Sequence, residues 1–176
     1  MEKLGLVHYY YGDGKGKTTA AMGLVLRAAG WGIPVAVVQF LKNGSSGEMR
    51  ALETFPHVVG MAVKCQRSFS FSMTAEERSE CAAVMQENLE KAERLCREGK
   101  CRLLVLDEIG SALRAGMVDR EAFLEFLDRR PAGVEIVMTG HQRDDSLAER
   151  ADYVTRMTKE KHPYDRGVAA RNGVER

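Results

Sequence analysis

The chain has 176 residues, 44% of them apolar and 29% charged, with 26 Lys and Arg against 25 Asp and Glu. A chain of this length is expected to form one domain, residues 1–176, burying roughly 70% of the surface its unfolded form exposes, without needing a staple. A formal net charge of +1 supplies no global field for nucleic acid or anionic lipid, so an anionic ligand must be held by a local set of donors. Neither nucleic acid nor a membrane is expected as a partner.

The apolar N-terminal stretch stops at Gly12, short of a signal-peptide core with its cleavage site and of the ~20 residues a membrane span requires, which predicts a cytoplasmic protein. Cys65, Cys81, Cys96 and Cys101 form no Cys-x-x-Cys pair and lie at no zinc-ligand spacing from a histidine, so reduced thiols are expected.

In chain order, residues 4–10 form a β-rich run that ends at a glycine loop, and 18–29 an Ala-rich helix closed by Gly30. Residues 34–41 (PVAVVQFL) are nearly unbroken in apolarity, as in a parallel strand buried on both faces, and 57–63 is a weaker strand. The longest helical pattern, 74–98, opens on Thr74-Ala75-Glu76-Glu77, a capping-box sequence, and closes at Gly99. Ala82, Met85, Leu89, Ala92 and Cys96 recur three or four apart within it as a buried stripe. Residues 102–106 (RLLVL), 133–139 (GVEIVMT) and 153–157 read as strands, and 111–115, 120–127 and 146–150 as helical segments. The tail from 158 to 176 has little apolar periodicity. This alternation predicts an α/β fold: an open, mostly parallel sheet of about five or six strands with helices on both faces, and ligands at the carboxyl ends of the strands.

Two sequence features carry chemistry. Gly12-Asp13-Gly14-Lys15-Gly16-Lys17-Thr18-Thr19 lies between a predicted strand and a predicted helix. Its glycines let successive N–H groups turn inward, the helix N-terminus adds partial positive charge, and Lys17 adds an ammonium, together a polyphosphate cradle. Thr18 is placed to offer its hydroxyl to a magnesium ion, although Tyr11 stands where a strict Gly-x-x-x-x-Gly-Lys-Thr would begin with glycine. The second feature is the strand 103–106 ending in Asp107 and Glu108. A strand neighbouring the cradle needs an acid at that end to orient the metal, so Thr18, Asp107 and Glu108 are the candidate metal residues and Lys17 and Glu108 the candidate catalytic ones. These features establish a nucleoside-triphosphate site and leave open which bond is broken.

The cradle run, then Arg27-Ala28-Ala29-Gly30, Val38-Gln39-Phe40-Leu41-Lys42, Gly47-Glu48, Val105-Leu106-Asp107-Glu108, Thr139-Gly140, Ala151-Asp152 and Lys161-His162-Pro163-Tyr164 resemble, in order, the P-loop ATP:corrinoid adenosyltransferase family. The resemblance implies a RecA-like P-loop fold and transfer of the 5′-deoxyadenosyl group of ATP to the cobalt of a reduced Co(I) corrinoid, with release of triphosphate. It implies ATP as co-substrate, Mg2+ with Mn2+ as the alternative ion, an electron-donating flavoprotein reductase and a homodimer. It assigns ATP binding to Gly12, Asp13, Gly14, Lys15, Gly16, Lys17, Thr18, Thr19 and Arg27, and corrinoid binding to Gln39, Lys42, Phe69 and Phe71. Phe69 and Phe71 stand where the family has Phe-Thr-Trp, and are expected to form an aromatic wedge that displaces the lower axial cobalt ligand. Tyr11 and His141 depart from the family pattern. The sequence begins at its first strand, so the site is expected either to be closed by an element other than the N-terminal segment of longer members or to be more open. The competing readings are a kinase or ATPase that cleaves the β–γ bond, and a non-catalytic corrinoid carrier gated by nucleotide.

Overall fold

The computed structural model describes residues 5–42, 44–63 and 73–175. Six strands, β1 (Val7–Tyr11), β2 (Val35–Gln39), β3 (Val58–Ala62), β4 (Leu103–Asp107), β5 (Glu135–Gly140) and β6 (Tyr153–Arg156), form one sheet in the order β3-β2-β4-β5-β1-β6. Every pairing is parallel.

Parallel strands require crossover connections, and these are the helices α1 (Lys17–Gly30), α2 (Gly47–Leu52), α3 (Ala75–Arg97), α4 (Ile109–Arg114), α5 (Arg120–Arg129) and α6 (Asp145–Ala148). Alternation along the strands divides the core. Val35, Val37, Leu103, Val105 and Val137 pack under Ala21, Met22 and Val25 of α1 and Met49 and Leu52 of α2. Ala36, Val38, Leu104, Leu106, Ile136 and Met138 face the other way, onto Met85 and Leu89 of α3, Phe123 of α5 and Leu147 of α6. Helices therefore cover both faces, which is why β2 and β4 are buried at every position.

The predicted capping box of α3 is present, with Thr74 Oγ1 accepting from the Glu77 amide at 3.1 Å and Glu77 Oε2 from the Thr74 amide at 2.9 Å. Cys96 and Cys101 are free, buried thiols, whereas Cys81 is disulfide-bonded, which the cysteine spacing along the chain does not signal.

One expectation is corrected by the topology. The strand carrying Asp107 is not the neighbour of the strand that leads into the cradle, because β5 lies between β4 and β1. The two features still meet, because α1 leaves β1 and crosses the α1 face of β5 and β4, carrying its first turn over the end of β4.

Candidate functional site

The register of the three central strands explains the site. Gln39 of β2 pairs with Asp107 of β4, and Leu106 with Met138, which sets Asp107 beside Thr139 of β5. All three continue the row of side chains facing α1. They are also the fully buried polar side chains of the described core, each 0% exposed. Buried polar groups need partners, and this row supplies its own. Asp107 Oδ1 accepts from Thr139 Oγ1 at 2.8 Å and from Thr18 Oγ1 at 2.9 Å. Its Oδ2 accepts from Lys42 Nζ at 2.6 Å and Gln39 Nε2 at 3.3 Å. The Thr139 hydroxyl also accepts from the Glu108 amide at 2.8 Å.

Glu108 is one of two non-glycine residues in the described chain with positive φ, at 66°, the other being Leu41 at 54°. Such backbone costs roughly 1–3 kcal/mol and is held only where the surroundings over-determine it. Here the amide bond to Thr139 and the Ser111 hydroxyl, which donates to Glu108 Oε2 at 2.6 Å, fix both ends of the residue. The turn leaves Glu108 on the wall of the cavity above the strand ends.

That cavity, about 380 Å³, is lined by the cradle from Asp13 to Thr19, by Lys42 and by Glu108. The cradle has two halves. Its first half is tied to the chain leaving β6: Gly14 N–H donates to the Met157 carbonyl at 2.9 Å and the Lys159 amide to Asp13 Oδ1 at 3.2 Å. The Lys159 amide holds the Asp13 carboxyl below its usual range. The second half leads into α1 through Gly16, whose φ of 115° and missing side chain leave the first turn uncapped by protein. Helix amides there are natural anion donors. Lys17 Nζ donates to the Gly14 carbonyl at 2.7 Å.

The residues present fit a magnesium ion. Thr18 and Asp107 offer hard oxygen donors at one point, and the buried Gln39 Oε1 beside Asp107 has no protein partner, so it is free to accept from a hydrated ion. Among the described residues there is no cluster of three or more His, Cys, Asp or Glu that could hold a metal ion by itself.

The sequence model of the family described as ATP:corrinoid adenosyltransferase BtuR/CobO/CobP matches residues 3–176. The chain belongs to this adenosyltransferase family. It is 34% identical over 176 residues to a corrinoid adenosyltransferase of a Sinorhizobium species, covering 99% of this chain and 81% of that one. To a corrinoid adenosyltransferase of Escherichia coli K12 it is 31% identical, covering 99% of this chain and 87% of the relative. Among solved structures, EssC (ATPases 2 and 3) from Geobacillus thermodenitrificans superposes with a TM-score of 0.50 at 14% identity. That match covers 96% of this chain and 35% of EssC, and it bears on the fold alone.

Within this adenosyltransferase the structure brings together Asp13 to Thr19, Lys42 and Glu108 on one cavity, with Asp107 and Gln39 beneath it. It does not bring Arg27 there. Ten residues beyond Lys17 on a helix is about 15 Å, and Arg27 lines a separate depression with Leu24, Trp31, Ile33, His8 and Glu135 at the amino-terminal ends of the strands. Phe69 and Phe71 lie outside the described residues. Of the two departures from the family pattern, His141 meets the cradle through its carbonyl, which accepts from Gly12 N–H at 3.2 Å. The ring of Tyr11 is covered by the Arg143 guanidinium, 5.8 Å from its centroid.

Sequence reasoning gave no site role to three contributors. Thr139 was visible as a polar residue at a buried strand end, the same signal that marks Asp107. Ser46 and Glu48 reach the cavity from α2, a helix of six residues and too short to show a period. The tail supplies His162, Pro163, Tyr164, Val168 and Val174 to the cavity wall. Its short 3-10 turn (Pro163–Arg166) is capped by His162, whose Nδ1 accepts from the Tyr164 amide at 3.1 Å. The hydrogen bond from Arg171 holds the Glu175 carboxyl well below its usual range, at about 2.

Proposed function

We propose that the chain transfers the 5′-deoxyadenosyl group of ATP to the cobalt of a Co(I) corrinoid and releases inorganic triphosphate. The reading is supported by membership of the corrinoid adenosyltransferase family together with one observation: a single cavity is lined by both the phosphate cradle and Glu108 at the end of β4, with the Asp107 carboxylate buried beneath it. The electron pair of cobalt forms the new bond to the 5′ carbon, and the carbon–oxygen pair departs with the triphosphate. No proton is moved.

Catalysis therefore reduces to position and leaving-group charge. Lys17 and Lys15, with the first-turn amides of α1, are suited to the charge that builds on the oxygen bridging the 5′ carbon and the α-phosphorus. Thr18, Asp107 and Glu108 would hold Mg2+, which when bound neutralises charge on the triphosphate. Gln39 and Lys42 act at the corrinoid side of the same edge, and Phe69 and Phe71 fill the lower axial face of cobalt. We place Arg27 near the nucleoside of a second subunit, since within one subunit it lies at the far end of α1 from the cradle. The acting unit is a cytoplasmic homodimer of one-domain chains supplied with electrons by a flavoprotein. Among the described residues no helix is long and apolar enough to cross a membrane.

The test is to mix the protein anaerobically with MgATP and chemically generated Co(I) cobalamin, cobinamide or cobyrinic acid diamide. A light-sensitive alkyl-cobalt spectrum is expected with at least one of them. ATP turnover to ADP and phosphate without that spectrum would instead identify a β–γ-cleaving enzyme.

A further inference from the structure

The cavity holds a cation that its metal chemistry does not call for. Lys42 Nζ lies 2.6 Å from Asp107 Oδ2 and 3.0 Å from Thr18 Oγ1. These are two of the three side chains that the proposed function assigns to Mg2+, and the inference rests on that assignment. A divalent ion binds such oxygens at about 2.0–2.1 Å. An ammonium already in contact with both competes with it through space and through like charge. We propose that Lys42 is a tethered cation that holds the metal position and is expelled when Mg2+ arrives.

The local backbone is built for this placement. Leu41, directly before Lys42, has φ of 54°, a left-handed turn that an L residue rarely adopts, and it folds the chain after β2 back over the end of β4. The exchange has a direction. Asp107 is fully buried and cannot follow water, whereas the Lys42 side chain is 33% exposed and can swing out along its four-carbon stem. The ammonium is thus the mobile member of the pair.

The released charge has a use. Lys42 lines the cavity with Lys15 and Lys17, and Lys17 itself donates to the Gly14 carbonyl rather than to a carboxylate. Expulsion of Lys42 from Asp107 frees its ammonium within the cavity, on the corrinoid side that the proposed function gives it, and does so when the metal is in place. Metal loading and release of the Lys42 ammonium become one event. Gln39 stays behind to bond Asp107 Oδ2 through Nε2, with its unpartnered Oε1 available to the incoming ion's water.

The experiment measures Mn2+ binding by electron paramagnetic resonance, on the full chain without nucleotide or corrinoid, so failure of adenosyl transfer would not affect it. Lys42→Met removes the competing charge and keeps the stem. Mn2+ should bind at least about tenfold more tightly, because the intrinsic affinity is no longer reduced by the fraction of molecules in which the ammonium holds the site. Lys42→Arg should retain weak binding, and Lys42→Met combined with Asp107→Asn should lose the gain. Unchanged or weaker Mn2+ binding by folded Lys42→Met overturns the proposal. Should Lys42→Met fail to fold with Asp107 uncompensated, lysine acylation of the unaltered protein, read by mass spectrometry, gives the same answer. Mg2+ should raise labelling of Lys42 severalfold relative to Lys91 on α3, and no change or protection overturns the proposal.

Discussion

Gly12 and Gly23 lie eleven residues apart, and the same substitution at each should have opposite effects. A Cβ on Gly12 would stand 2.1 Å from the Met157 carbonyl oxygen, at a φ of 125° that L side chains rarely adopt. Met157 cannot retreat freely, because its N–H donates to the Tyr11 carbonyl at 2.7 Å and its carbonyl accepts from Gly14 N–H at 2.9 Å. The backbone strain costs about 1–3 kcal/mol and the forced displacement about 1–3 more, so Gly12→Ala should lose about 2–6 kcal/mol. For a domain of this size that corresponds to a Tm lower by about 5–20 °C. The displaced carbonyl also frees the first half of the cradle, so ATP affinity by calorimetry should fall by at least about tenfold. Gly23, in the middle of α1, meets nothing within 4 Å, and Gly23→Ala should gain about 0.5–1 kcal/mol from helix propensity alone. A Gly12→Ala protein with unchanged Tm and unchanged ATP affinity would refute the account of the cradle as a loop sewn to the end of β6.

Other substitutions separate stability from binding. Thr139→Val keeps the shape of the side chain but removes the donor to Asp107 and the acceptor for the Glu108 amide, both fully or largely buried. It should cost about 1–3 kcal/mol in thermal unfolding, and it should weaken binding of MgATP more than binding of metal-free ATP. Lys17→Ala breaks only a bond to the Gly14 carbonyl, so Tm should hold within about 4 °C while ATP affinity falls by at least about tenfold. Burial alone would raise the pKa of Asp144, but bonds from Arg120 and Ser146 outweigh it and hold the carboxyl at about 2. Its folded pKa lies below the unfolded value of about 3.9. The pair therefore stabilises the fold above that pH, and the contribution is lost as pH falls towards 2. With Arg120 41% exposed to screening, the effect should be about 1 kcal/mol. Stability curves between pH 5 and 2 should show that slope in the unaltered chain and a flatter one in Asp144→Asn.

Much of this was readable from residue order. The cradle is legible because its chemistry is local: eight consecutive residues carry the turn, the donors and the first helical hydroxyl. Asp107 is legible because an acid at the end of an apolar run contradicts its surroundings. Pairing order is another matter. Nothing in residues 102–106 or 133–139 tells which of the two strands lies beside β1, and the insertion of β5 follows from long-range packing under α1. Arg27 shows the converse, since it is close to the cradle in sequence while ten helical residues carry it, within one chain, to the opposite end of the sheet. Lys42 was identified, but its partner was not, because a bond across 65 residues depends on β2 and β4 being neighbours. The tail wall was not legible because Pro163, Tyr164, Val168 and Val174 follow no helical or strand period.

The central claim is that the triphosphate of ATP leaves intact. The most direct measurement is phosphorus-31 NMR of the anaerobic reaction of this protein with MgATP and a Co(I) corrinoid, run to completion. The account predicts inorganic triphosphate equal in amount to the corrinoid alkylated, without accumulation of ADP. Resonances of ADP and orthophosphate in its place would contradict it.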